Sequence, residues 1–423
     1  MSLKSIGICS ATAVALVAMG TPALVLADSK RGQDVKSRQA ERQAGDDYKA
    51  VGMRAGSFKL LPSLAVEVEH NDNVFATETG EESDLISRLR PEVSLKSDWN
   101  NHALNLNAKG ELVRYNDNDD DDVENHSYSV DGKIDAARTT TIKYGLGYAV
   151  AHADRGDPDQ ATTANAPTED NTTDANIGIK FKPGKLSISL DGSYKEQDYL
   201  DDTNIDGSTT NNDDRDRETR TIEGRLGYEF TPGREAFIRS KLIEVEYDSA
   251  TDDAGSDRNS DGYNLVVGTT LDLTGVVTGE IYAGYKSRSY DDAGFSDIDG
   301  PTAGAKLNWD ISKITSLKLD INQNIQETTT ADSPGFVSTS GSITAQHELS
   351  RQLTLTGKLK VAEDDYEDIS RSDDTITAEI GGKYLISRVL SVAANYSYKD
   401  KDSSVSGSSY TQNKAMLTVR GQF

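Results

Sequence analysis

The segment Ala415-Met416-Leu417-Thr418-Val419-Arg420-Gly421-Gln422-Phe423 decides how the rest of the chain is read. Ala415, Leu417, Val419, Gly421 and Phe423 are apolar or small, while Met416, Thr418, Arg420 and Gln422 between them are mostly polar. Side chains of a strand point alternately to its two faces, so this is a strand with one oily face and one wet face. Taken alone, it fits the edge of a soluble sandwich as well as a wall against lipid. The choice rests on whether the pattern recurs upstream.

It recurs from Phe58 onward. Leu60, Pro62, Leu64, Val66 and Val68 share one face, with Glu67 and Glu69 on the other. Leu104, Leu106, Ala108, Gly110 and Leu112 alternate with Asn105, Asn107, Lys109 and Glu111, and Leu353, Leu355, Gly357, Leu359 and Val361 repeat the rhythm far downstream. Segments of about ten residues with this alternation are the signature of membrane-spanning strands. The stretch 236–247 is less regular. Arg239 and Lys241 share a face with Phe237 and Ile243, which predicts a bulge or a phase shift there.

The connections carry independent information. Short turns around 99–101, 183–184, 231–233, 274–275, 350–352 and 387–388 alternate with long polar loops at 71–83, 116–125, 154–170, 200–217, 248–260, 291–299, 327–335, 366–373 and 399–407. This predicts an all-β protein: a transmembrane antiparallel up-and-down β-barrel of about 18 strands, with short periplasmic turns and long acidic extracellular loops. An even number of strands puts both termini in the periplasm. A ring this wide cannot close-pack its oily face inward. Turned outward, that face meets lipid, and every backbone group is bonded to a neighbouring strand. The wet face then lines the lumen, with Lys109, Glu111, Lys143, Lys318, Asp320, Lys358 and Lys383 as candidate lining residues. Tyr115, Tyr148, Phe181, Tyr199, Phe230, Tyr247, Tyr290 and Tyr384, near strand ends, predict aromatic girdles at the membrane interfaces.

Residues 1–27 read as a secretory signal peptide, with Lys4 in the basic region, an apolar stretch from Ile6 to Met19, and Val25-Leu26-Ala27 before the cleavage point. Gly20, Thr21 and Pro22 cut the stretch short of a comfortable transmembrane helix. Residues 28–57 are a charged, flexible periplasmic segment, and 58–423 form the outer-membrane β-barrel. The single cysteine, Cys9, lies in the signal, so disulfides and cysteine–metal sites are excluded from the mature chain. With 70 acidic against 45 basic residues, the net charge of -25 argues against nucleic acid as a partner. A hydrophobic content of 35% suits a barrel, in which only alternate strand residues face lipid. A disordered acidic chain would share the composition but not the alternation.

Nothing here reads as an enzyme or as a cofactor site. His70, His102, His126, His152 and His347 are scattered, and no serine sits in a recognisable nucleophile context. Asp257, Asn259, Asp261 and Gly262 match the opening of a calcium loop, but Gly268 stands where its closing glutamate belongs. They are weak metal candidates. The acidic loops as a whole suit non-specific divalent cations, which would bridge them to lipopolysaccharide phosphates at the lipid surface.

Two resemblances add to this reading. Leu417, Val419, Gly421 and Phe423 resemble the signal read by the bacterial barrel-insertion machinery. Gly56-Ser57-Phe58, Pro62, Asp72-Asn73-Val74-Phe75, Ser83-Asp84, Pro91 and Ser97-Asp98-Trp99 resemble the start of the putative β-barrel porin 2 family, specifically over 52–115. That resemblance implies an outer-membrane barrel and, for some members, export of exopolysaccharide or capsule beside a periplasmic polysaccharide export protein. Three functions therefore stand: a conduit for secreted polysaccharide, a diffusion porin for small hydrophilic solutes, and a structural or adhesive barrel. The pattern supports a channel, and the resemblance tips the choice toward the conduit. A porin would need a constricting loop, for which 154–170 and 200–217 are the longest candidates.

Overall fold

Eighteen antiparallel strands, each hydrogen-bonded to the next in sequence, become a closed ring when the last pairs with the first. The computed structural model describes residues 48–161, 163–273 and 275–423. The expected signal peptide and most of the lead-in after it lie outside the described residues. The strands are β1 (Phe58–Asn71), β2 (Asp84–Ser97), β3 (Ala103–Tyr115), β4 (Val123–Ala137), β5 (Thr140–His152), β6 (Glu169–Phe181), β7 (Leu186–Tyr199), β8 (Arg217–Thr231) and β9 (Arg234–Tyr247). They continue as β10 (Ser260–Leu273), β11 (Val277–Tyr290), β12 (Ile298–Trp309), β13 (Thr315–Glu327), β14 (Gly335–Glu348), β15 (Leu353–Tyr366), β16 (Ser372–Leu385), β17 (Leu390–Ser403) and β18 (Tyr410–Gln422). Among the described residues no helix is long and apolar enough to cross a membrane.

The ring is inside-out relative to a water-soluble protein. On β1, Leu64, Val66 and Val68 are 45%, 47% and 40% exposed, while Ala65, Glu67 and Glu69 between them are 4%, 5% and 7% exposed. Leu146, Ile177, Leu190, Ile222, Val267 and Ile380 continue the exposed apolar face round the ring. Such a surface is stable only against hydrocarbon, where each Leu or Ile contributes roughly 1.5–3 kcal/mol on leaving water. Closure gives every strand a neighbour on both sides, with the shortest ladder between β12 and β13, where only Ala305–Trp309 and Leu317–Ile321 pair.

Connections of two to five residues at one rim alternate with loops of five to seventeen residues at the other, and the start of β1 and the end of β18 lie at the short-turn rim. A short strand, Met53–Ala55, folds back on the start of β1 through a two-residue turn in which Gly56 has φ +62°. This differs from the expectation that the whole lead-in stays outside the barrel. Arg54 also pairs with Asp98 of the first short turn.

Three further expectations are corrected. β9 carries no bulge across the span, and its ladders run unbroken from Glu235 to Val245 against both neighbours. Phe237 and Val245 simply face inward, where the guanidiniums of Arg225 and Arg239 lie 3.9 and 5.6 Å from the centre of the Phe237 ring. The expected loop at 399–407 begins later, because β17 runs to Ser403 and sets Lys399 and Lys401 on the inner wall. Half of the expected girdle also turns inward. Tyr148, Phe181, Phe230 and Tyr384 face outward and are exposed, but Tyr247 and Tyr290 are buried inside, and Tyr115 and Tyr199 fall on the inward register. Their phenols suit the polar interior, where Arg215 lies 4.1 Å from the Tyr199 ring centre.

At the long-loop end the seam between β1 and β18 is locked by side chains of the first loop. Asn73 is wholly buried and donates from Nδ2 to the carbonyls of Thr77 and Thr411, at 2.8 and 2.9 Å. Gln412 returns a 2.6 Å bond to the Asn73 carbonyl, and Asp72 accepts from the backbone and side chain of Asn413 at 2.6 and 2.7 Å. Val74 packs with Ile86 and Val113 in a small apolar cluster flanked by Phe75 and Tyr115. The Asp72-Asn73-Val74-Phe75 motif therefore closes the ring.

Candidate functional site

The inner wall is built from charges that neighbouring strands set side by side. Arg88 meets Glu69 at 3.0 Å, and Arg90 bridges Glu67 at 2.8 Å and Glu111. On another arc Arg225 meets Glu235 at 3.1 Å, and Arg239 meets Glu280 at 3.0 Å. All seven lining candidates fall on inward register positions. Glu111 accepts from Arg90 and Asn125, Asp320 stands 3.7 Å from Lys306, and Lys358 is 2.8 Å from Glu379. Lys109 sits across from Glu92 and Ser127, Lys143 across from Lys133, Lys318 across from Asn308 and Thr344, and Lys383 across from Thr354. Much of the wall is thus a mosaic of fixed, paired charge.

The metal candidates do not converge. Asp257 accepts the backbone N–H of Asn259 at 3.0 Å, Asn259 accepts that of Tyr247 at 2.7 Å, and Asp261 lies exposed on the outward register of β10. Among the described residues no group of three His, Cys, Asp or Glu side chains is placed to hold a metal ion.

What narrows the ring is the loop 153–168 between β5 and β6. It leaves its own arc and reaches the far wall. Gly156 lies against Tyr410 at the start of β18, so closely that a Cβ there would collide with the phenol oxygen. Asp159 accepts a 2.6 Å hydrogen bond from the hydroxyl of Thr328, in the loop after β13. Arg155 is the root of the crossing: its guanidinium pairs with the buried Asp121, donates to the carbonyls of Ala164 and Asn165 at 2.8 and 2.9 Å, and lies 5.6 Å from the Phe75 ring centre. The second half of the loop docks on loop 200–216, where Asn165 and Ile205 exchange backbone bonds with Thr203 and Thr163, and Thr168 donates to Asp202 at 2.7 Å.

A latch holds the far landing point. Arg258 is 2% exposed, and its guanidinium donates to Asp252 at 2.7 Å and to the carbonyls of Thr328, Ser333 and Thr330 at 2.6, 2.8 and 3.1 Å. The ring of Phe295 lies 5.3 Å from it. A guanidinium carries five donors in a planar fork, and here that fork ties loop 248–259 to loop 328–334. Asp159, Thr328 and Arg258 therefore form one chain of contacts across the mouth.

Two carboxyls of the crossing loop feel this enclosure differently. Burial pushes Asp154 up, but the ammonium groups of Lys414 and Lys399, the Gly156 amide and Arg88 outweigh it and hold the carboxyl below its ordinary range. Burial and the neighbouring charge of Asp154 push Asp157 up to about 6, against the Asp154 amide and the charges of Lys399 and Lys401. Arg155, Arg258, Asp154 and Thr328 escaped the sequence reading, because each acts through partners on loops remote in the chain. The length of loop 154–170 was the one available signal.

The sequence matches the putative β-barrel porin 2 family over residues 46–423. Among curated protein sequences none matches significantly. Among solved structures, the ferric citrate transporter FecA in its unliganded form is similar at 11% identity and a TM-score of 0.49, over 84% of this chain and 61% of FecA, so this chain spans less than two thirds of its length. OpdK of Pseudomonas aeruginosa, solved with vanillate, gives 10% identity and 0.43 over 86% of this chain and 99% of that one. The siderophore receptor PirA from Acinetobacter baumannii gives 8% and 0.48 over 88% and 81%. Likenesses this distant transfer no ligand. The inside-out ring of eighteen strands and the family match along nearly the whole described chain lead to one conclusion: this protein belongs to the putative β-barrel porin 2 family and is a porin-like β-barrel of the outer membrane.

Proposed function

We propose that the barrel is a channel for small hydrophilic solutes, narrowed at its mouth by loop 153–168, with the long acidic loops outside the cell and both termini in the periplasm. The observation that carries this reading is the crossing itself, fixed by the seat of Gly156 on Tyr410 and the bond from Thr328 to Asp159. A polymer in transit needs a bore open along its whole length, whereas a small solute can pass beside a fixed segment. The compensated wall charges favour passage over capture, because a solute leaving one ion pair meets another of similar field. Export of exopolysaccharide or capsule beside a periplasmic export protein, which the family resemblance implies, requires the loop to swing clear. In the same reading Leu417, Val419 and Phe423, exposed on the outer face at 52%, 41% and 52%, present the last strand to the barrel-insertion machinery. The acidic loops lie among lipopolysaccharide headgroups with loosely held divalent cations.

The test replaces residues 155–166 with a short Gly/Ser linker and compares single-channel conductance in planar bilayers. The expected result is a conducting wild type and a severalfold larger conductance in the variant. Unchanged small-solute uptake with loss of surface polysaccharide on gene deletion would overturn the proposal in favour of the conduit. Absence of both phenotypes, and of conductance, would favour the structural barrel.

A further inference from the structure

The arc of wall beneath the landing point of the crossing loop carries several cations, and they are not equally occupied. Lys358 and Lys401 have carboxylate partners, Glu379 at 2.8 Å and Asp373 at 3.1 Å. Lys360 has none. It is 5% exposed, and its ammonium nitrogen is buried without a hydrogen-bond partner. The pairing of Lys360 with Thr377, and of Thr377 with Lys399, sets both lysines at one level on the inward face. The Lys399 ammonium stands 5.0 Å from the centre of the Tyr410 ring, on which Gly156 rests. Asp154, two residues before that seat, spends one oxygen on the Gly156 amide at 3.2 Å.

We propose that the wall around Lys360, Lys399, Lys414 and Tyr410 is a binding site for the carboxylate of a small polar solute, and that Asp154 occupies the Lys399 and Lys414 end of that site while the loop is seated, leaving Lys360 open. A buried ammonium without a partner is unfavourable, and an incoming carboxylate relieves it. Ser342 and Thr377, opposite Lys360 in the ladders, offer hydroxyls to a ligand that carries its own. The charges of Lys414 and Lys399, which hold the Asp154 carboxyl ionised, would act equally on a free carboxylate. Solute and loop then compete for one site, so binding of the solute and release of the loop are linked. This assignment rests on the channel reading and names the class of solute it takes.

The experiment is calorimetric titration of the detergent-solubilised full-length barrel with glucuronate, with uncharged glucose as control. Glucuronate is expected to bind and glucose not to bind. Lys360→Met should weaken glucuronate binding about tenfold or more, with Lys360→Arg restoring most of it. Asp154→Asn should tighten binding by up to about tenfold, because the internal competitor is gone. Folding is not at risk in the first variant, since it removes an unpartnered buried charge, nor in the second, since asparagine keeps the side-chain oxygen that accepts from the Gly156 amide. Equal response to both sugars, indifference to Lys360→Met, or no tightening in Asp154→Asn would overturn the site. Calorimetry needs no conduction, so a protein that binds glucuronate but never conducts would refute the channel and leave the site standing.

Discussion

The two ends of the ring are held in different ways. At the short-turn end, connections of two to five residues bind each strand to the next, and apolar side chains such as Trp99, Ile311 and Val389 stand exposed there. Nothing at that end can move far without breaking strand ladders. At the long-loop end the loops are joined to one another by side chains: Arg258 to three carbonyls, Arg155 to Asp121, Gly407 to Glu78, Ser296 to Asp368. Such contacts break without cost to the wall. The lesson is that one end carries shape and the other carries any change of state.

The largest effect that would sharpen this contrast is all-or-none. An epitope inserted at Gly207, at the tip of loop 200–216 with open space around it, should be reached by antibody on intact cells. The same epitope at Gly184, in the short turn between β6 and β7, should be reached only after permeabilisation. The opposite labelling would reverse the orientation proposed for both ends.

A smaller but still large effect concerns the latch. Arg258→Ala leaves Asp252 buried without its cation, a loss of about 3–5 kcal/mol for a pair of this kind. Protease cleavage within 248–259 and 328–334 should accelerate by roughly two orders of magnitude or more. The heat-resistant mobility of the barrel on gels should persist. Collapse of both would show that the ends are not separable.

The smallest effect is a pH response. The Asp157 carboxyl, raised to about 6 in the seated loop, binds its proton more tightly there than when released. Acidification from pH 7.5 to 5 therefore stabilises the seated loop, and conductance should fall by up to about tenfold. Asp154, Lys399 and Lys401 are the charged groups that set this balance. Asp157→Asn should conduct at pH 7.5 as the wild type does at pH 5 and lose the response. A rise in conductance on acidification would show that other groups control the mouth.

Much of the wall was legible in the chain because lipid imposes a rule on every second residue. Leu64, Val66 and Val68 could face nothing else, and loop boundaries followed from where that alternation stopped. Phe237 misled the sequence reading for the same reason: its neighbours Arg225 and Arg239 cover it from inside, and the first of these belongs to another strand. The girdle failed where phenols found guanidinium partners next door on the inner wall, Arg215 and Arg217 beside Tyr199 and Arg217 beside Tyr247. Of the crossing only the length of loop 154–170 was legible, since Gly156 and Tyr410 are joined only once the barrel is closed. The acidic loops looked merely hydrated, because the arginine contacts that order them, through Arg155 and Arg258, leave no pattern in sequence.

The seam at Asn73 has a consequence for how the protein is made. Its bonding partners Thr411 and Gln412 emerge from the ribosome 338 and 339 residues later, and until then its amide and carbonyl have nothing to bind across the gap. A chain cut short before Tyr410 leaves the opening loop unfastened, so the first loop acts as a receipt that the final strand has arrived.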